Sequence, residues 1–307
     1  MITSGQSKLE TLAIIDGILH WLSKSAIDDL ISSLAGILLS EWGAAQAQAV
    51  TEAIRQLKKD KPDKREINAV LNKLSAGLGQ PVVDAVAAPL LDLTQQLYQE
   101  GINQVAEAVK PYKPTLKLTF DLVDADAVAS LQKFDLYWIG NFYDEQLAEQ
   151  VKKTTEEWRK EEVNRRVFAK RLQEAFEVGE FNAKPTHYWQ GLADHIGTRT
   201  TTFSMIEKMD RAKVGAYEFV ARMDERTSTV CRNMNGRIFP LQDAIELKNK
   251  LYAATDPDEV KQITPWRKPE ELEDAEGNPL PNDEIPADMR IPPLHFRCRS
   301  RIRPIFN

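Results

Sequence analysis

Apolar residues recur at helical spacing through most of the first 110 positions. Ile27, Leu30, Ile31, Leu34 and Leu38 fall at i, i+3, i+4, i+7 and i+11, one stripe of an amphipathic helix. Similar stripes run through Leu9, Leu12, Ile15, Ile18 and Leu22, and through Val50, Ile54 and Leu57. Breaks are expected at Pro62-Asp63, at Gly77-Leu78-Gly79-Gln80-Pro81, and between Pro111 and Pro114, where a missing amide donor or a free backbone ends helical pairing. The pattern predicts a helical array over 1–112.

Leu116, Leu118, Phe120 and Leu122 alternate with polar residues, which predicts a short extended segment over 115–123, with Asp124 or Asp126 capping a following helix. One long helix is expected over 144–176 from Leu147, Val151, Trp158, Val167, Leu172 and Phe176, with Glu156 and Lys160 paired at i,i+4. A second begins at Thr186, runs to about Ala212 and is closed by Gly215. Residues 113–212 therefore read as a central helical region.

The period then shifts to two. Tyr217, Phe219, Ala221 and Met223 alternate with Glu218, Val220 and Arg222, a strand pattern. Asn235-Gly236 is a turn signal before Ile238-Phe239, and Ile302 with Ile305 predicts a last strand interrupted by Pro304. Residues 256–288 hold eleven carboxylates and six prolines, the composition of an inserted acidic loop that stays outside the core. The expected fold class is thus a mostly α N-terminal and central region followed by a small α+β C-terminal domain over 213–307.

Composition narrows the function. The chain has 307 residues, two cysteines and a net charge of −6. It is long enough for about two domains with cores of their own, so a disulfide scaffold is excluded. The acidic balance argues against a general nucleic-acid coat but leaves room for a local basic stripe. Residues 1–22 lack a basic n-region, and Ala26 to Leu39 is broken by Asp28, Asp29, Ser32 and Ser33, so neither a signal peptide nor a membrane anchor is expected.

One constellation is specific. Asp224-Glu225-Arg226-Thr227-Ser228-Thr229-Val230-Cys231 follows the predicted strand and continues to Asn235-Gly236; it is answered by Pro292-Pro293-Leu294-His295-Phe296-Arg297-Cys298-Arg299-Ser300. Asp224 is placed to cap the next helix, and Arg226 to bridge to carbonyls or carboxylates of the returning strand. Pro292-Pro293 presets an extended approach that delivers His295 and Cys298 toward Cys231 if the last strand pairs with the first. Two buried thiols beside a hydrogen-bonded histidine is the favoured reading of that convergence, with no cofactor. Zinc held by Cys231, His295 and Cys298 is the alternative, short of a fourth ligand, and a Cys-His nucleophile lacks a visible orienting group. Arg297, Arg299, Arg301 and Arg303 alternate, a stripe suited to DNA phosphates or to ion pairs with the acidic insert. His20, His187 and His195 lack spaced partners, and the six tryptophans read as core or interface anchors.

This order of residues resembles the C-terminal domain of the Mu F-like head morphogenesis family, the minor head proteins of tailed bacteriophages. Arg199-Thr200-Thr201-Thr202 is similar to the family's Arg-Thr-x-Thr segment, and the likeness runs strongly over 186–306. It implies a structural motif of Asp224, Arg226, Thr227, Cys231, Gly236, Pro292, Pro293, His295 and Cys298. It also implies a non-enzymatic virion component at the portal vertex, acting in head assembly and in DNA packaging or delivery. The implied partners are the portal protein, other capsid proteins and phage DNA, with no membrane and no small-molecule substrate. The implied location is the capsid interior or portal vertex, after assembly in the bacterial cytoplasm. Many relatives carry further cysteines where Ser228 and Ser300 stand here, which weakens a closed metal site. The competing reading is a zinc-dependent hydrolase or toxin-like enzyme, against which the chain offers no triad, His-Glu-x-x-His or phosphate-binding loop and ends at Asn307 directly after the motif.

Overall fold

The structure is a computed structural model that describes residues 26–140, 145–177, 181, 185–254, 256–266, 268–274 and 279–306. The stripe over Leu9–Leu22, His20 and Trp21 lie outside the described residues, as does the side chain of Thr186, the expected cap. Three helices open the described chain: α1 (Ala26–Ile54), α2 (Lys64–Leu78) and α3 (Gln80–Val109). Their ends fall where the turn chemistry places them. Asp63 caps α2 by accepting from the Glu66 amide at 3.0 Å, and Pro81 sits in the first turn of α3, where no amide donor is needed. The stretch 64–109 contains a window of mean hydropathy 1.3, apolar and long enough to cross a bilayer. In the fold, Val82, Val86, Leu90 and Leu97 are buried against neighbouring helices.

The segment 115–121 makes no strand; Leu118 and Phe120 pack on the core from an irregular stretch because no neighbouring strand offers it a ladder. Asp121, not Asp124 or Asp126, caps α4 (Leu122–Gly140): its Oδ1 accepts from the amides of Val123 at 3.0 Å and Asp124 at 3.3 Å. Asp124 returns the bond, accepting from the Asp121 amide at 2.8 Å, a reciprocal capping pair. The expected single helix over 144–176 is two, α5 (Glu145–Lys160) and α6 (Arg165–Glu177). Glu162 adopts φ 54° between them, and Asn164 caps α6 through the Val167 amide at 3.0 Å. Phe168 then takes the buried place and Val167 is exposed, while Glu156 pairs with Arg159 rather than Lys160.

Helix α7 (Pro185–Arg211) closes at Lys213, φ 53°, not at Gly215; the Val214 amide reaches back to the Met209 carbonyl at 3.0 Å. Then come β1 (Ala216–Val220), the short helix α8 (Thr229–Met234), β2 (Ile238–Pro240), α9 (Leu241–Ala253), α10 (Pro257–Ile263) and β3 (Arg301–Ile305). The sheet is antiparallel in the order β2-β1-β3, with Ala216 opposite Ile305 and Val220 opposite Arg301. Strand β1 stops at Val220, short of Met223, because the Asn235 side chain takes up the Ala221 amide at 2.9 Å. Gly236 supplies the φ of 81° that turns the chain from α8 into β2. Pro304 does not interrupt β3, which lies at the sheet edge.

The acidic insert is not wholly outside the core. Asp256 caps α10, accepting from the Asp258 and Glu259 amides at 2.9 Å, and Leu272 and Ile285 are buried at 0% and 1% exposure. Sparse apolar residues dock the segment despite its charge: the Leu280 amide donates to the Leu272 carbonyl at 2.8 Å.

Two apolar cores form among the described residues. One joins α1, α2, α5, α6, the first half of α3 and the first half of α7; the other joins the second halves of α3 and α7 to α4 and the sheet module. The boundaries expected near 112 and 212 coincide with the ends of α3 and α7, but both helices run through both cores. Where they cross, a Cβ on Gly101 would lie 2.8 Å from the Thr201 carbonyl oxygen, and Ser204 Oγ donates to the Tyr98 carbonyl at 2.5 Å. Gly101→Ala is therefore expected to cost about 1–3 kcal/mol by overpacking against backbone. That outweighs the roughly 1 kcal/mol that alanine gains in a helix. A melting temperature equal to or above that of the parent would show that the two helices can part.

Candidate functional site

The two halves of the motif close on each other around the β1–β3 pair. Past β1 the chain turns on Asp224, whose Oδ1 accepts from the Arg226 amide at 3.0 Å, while Thr227 Oγ1 accepts from the Asp224 amide at 2.8 Å. Ser228, not Asp224, caps α8, accepting from the Cys231 amide at 3.2 Å. Asp224 instead holds Arg299 through two bonds, 2.6 and 2.8 Å. Arg226, given the bridging role in the sequence reading, is exposed; the bridge is built by Arg299, two residues before β3.

The arginine stripe is paired, and not by the acidic insert. Arg301 reaches Asp28 of α1 at 3.2 Å, Arg303 pairs with Glu218 of β1, and Arg297 faces Asp194 of α7 at 3.7 Å. Arg222 also meets Asp28 at 3.5 Å. A cleft of about 280 Å³ opens here between α1, α7 and the module, lined by Asp28, Asp194, Arg222, Arg226, Arg299 and Arg301 among others. None of these acidic partners carries a local sequence signal, which is why sequence reasoning missed them.

The Arg299 guanidinium holds the Asp224 carboxyl down to about 2. A depressed carboxyl stabilises the fold above its unfolded pKa near 4 and loses that contribution as pH falls toward 2. The melting temperature of the parent should therefore approach that of Asp224→Asn between pH 4 and pH 2; a constant gap across that window would disprove the pairing. Asp194 is shifted upward instead, because burial outweighs Arg297, Arg226 and Arg299.

Beneath this ion pair lies the thiol cluster. Cys231 Sγ is 3.2 Å from His295 Nε2 and 3.7 Å from Cys298 Sγ, and Ser228 Oγ is 2.8 Å from the same Nε2. His295 Nδ1 is 2.7 Å from the Phe296 carbonyl oxygen, so it carries the proton and leaves the Nε2 lone pair facing the sulfurs. Cys298 hydrogen bonding, then Ser228, Ser300 and Arg299, pulls the Cys231 thiol below its ordinary value, while the shared bond and burial push Cys298 up. Thr198 Oγ1 donates to the Cys298 carbonyl at 2.7 Å, tying the cluster to α7. The bond between Pro292 and Pro293 is cis, and 291–297 runs as bends and a turn rather than as an extended approach.

As a nucleophilic dyad the arrangement is incomplete. The group that orients His295 is a backbone carbonyl rather than a carboxylate. His187 is exposed, whereas burial drives His195 down to about 3 beside Arg199. Trp42 and Trp189 meet in the helical core at 5.6 Å, while Trp266 stays exposed. Arg199, the first residue of the Arg-Thr-x-Thr segment, is buried against Asp135 of α4.

In comparisons with family models, curated proteins and solved structures, nothing matches the chain.

Proposed function

We propose that this chain is a bacteriophage minor head protein of the Mu F-like type, associated with the portal vertex and acting in head assembly and DNA packaging or delivery. The observation that supports the reading is the closing of two half-motifs, 67 positions apart at Cys231 and Cys298, into one cluster bolted by Asp224 and Arg299. In the resemblance those same residue types occur in the same order, so the motif has a physical purpose: it clamps the C-terminal strand to the first strand of a small module. Among the described residues the module presents no catalytic constellation, and Arg297, Arg299, Arg301 and Arg303 are paired internally. On this reading the role is assembly, with the helical part meeting portal or capsid subunits in the virion and DNA a secondary partner.

Cross-linking of purified virions followed by peptide mass spectrometry tests this. Cross-links from α1–α6 to the portal protein, at a few copies per particle, are expected. Absence from purified heads, or an even spread over the capsid lattice, refutes it.

A further inference from the structure

We infer that Cys231, His295 and Cys298 bind one zinc ion, with the fourth coordination position left to solvent. Their ligand atoms all lie within 4.8 Å of one another, although the residues come from α8 and from a turn 64 and 67 positions later. Tetrahedral zinc with sulfur at about 2.3 Å and nitrogen at about 2.0 Å sets neighbouring sulfurs roughly 3.8 Å apart and sulfur and nitrogen roughly 3.5 Å apart. Two of the three ligand spacings, 3.7 and 3.2 Å, match to a few tenths of an ångström, and the third, His295 Nε2 to Cys298 Sγ, lies within 4.8 Å.

Three further features favour an ion over two thiols in contact. The histidine tautomer is set by the Phe296 carbonyl, the outer-shell arrangement that fixes a zinc-bound imidazole and aims its free nitrogen at the metal. The Nε2 lone pair can accept one hydrogen bond, yet both Ser228 Oγ and Cys231 Sγ crowd it. Charge also balances: on binding, the two thiols release two protons, and two thiolates with one Zn²⁺ add no net charge to a site where Cys231 and Cys298 are 3% and 0% exposed. Soft thiolates with an imidazole select zinc among common divalent ions.

The remaining neighbours, Ser228 and Ser300, offer hydroxyls, which are weak zinc ligands and leave the fourth position to water. The ion would staple α8 to the segment before β3, so this inference concerns the module's architecture and stands whether or not the protein belongs to a phage head.

The full chain, purified under reducing conditions without chelator, is measured for zinc and then exchanged into Co²⁺. About one zinc per chain is expected, together with the visible bands of a four-coordinate cobalt site and sulfur-to-cobalt charge transfer. In Cys298→Ser, zinc content should drop at least tenfold. In Ser228→Cys, a third thiolate should raise the charge-transfer intensity by about half and slow zinc extraction by a chelator. The Ser228 variant and the parent decide the matter even if Cys298→Ser fails to fold. Less than a tenth of a zinc per chain, with two titratable thiols or a Cys231–Cys298 disulfide and no cobalt spectrum, would overturn the inference.

Discussion

Lys208→Met should destabilise the protein by about 3–5 kcal/mol, the cost of leaving one partner of a buried ion pair uncompensated. Lys208 and Asp124 have fully buried side chains, and Lys208 Nζ donates to Asp124 Oδ2 at 2.5 Å and to the Thr119 carbonyl at 3.0 Å. The ammonium thus joins α7 to the irregular 115–121 segment and to the first turn of α4. Without it, the Asp124 carboxylate keeps the Asp121 amide but loses its buried counter-charge. For a chain of this size the melting temperature should fall on the order of 10 °C. Lys208→Met combined with Asp124→Leu should recover much of the loss, since an apolar pair of similar volume removes the stranded charge. A single variant that melts within a degree or two of the parent would show that water reaches the pair.

Replacing Arg297, Arg299, Arg301 and Arg303 together by serine should lower the melting temperature steeply and leave DNA retention unchanged. Each guanidinium is engaged by a carboxylate from a different part of the chain: Asp194, Asp224, Asp28 and Glu218. Arg299 carries the largest share. Its two bonds to Asp224, with its side chain only 16% exposed, are worth about 1.5–3 kcal/mol. Arg297, longer at 3.7 Å and 36% exposed, contributes under about 1 kcal/mol. The loss also loosens α1 from the module, because Asp28 loses Arg301 while Arg222 stays at 3.5 Å. The opposite result is equally readable. Binding that weakens steeply with salt in the parent and vanishes in the variant, at an unchanged melting temperature, would place the stripe on phosphates.

Short-range physics made the helical array legible. The Ile27–Leu38 stripe and the breaks at Pro62-Asp63 and within Gly77–Pro81 each rest on residues within a few positions of one another, and the structure has them where the pattern put them. The same reach explains the errors. A single helix over 144–176 satisfied the apolar spacing, but Asn164 ended it by capping α6. The alternation at 115–123 predicts an extended segment, but a strand exists only with a neighbour to bond. The insert over 256–288 looked like solvent-exposed loop by charge, yet Leu272 and Ile285 suffice to dock it. At the site, sequence alone singled out Asp224, Cys231, His295, Cys298 and Arg297, Arg299, Arg301 and Arg303, which the fold brings around one end of the sheet. Tertiary structure decided their partners. Arg301 meets Asp28 across 273 positions and Arg199 meets Asp135 across 64, and no periodicity encodes such pairs. They arise only when α1, α4, α7 and the sheet have packed, because burial is what makes a charge seek a partner, and the fold chooses which one lies within reach.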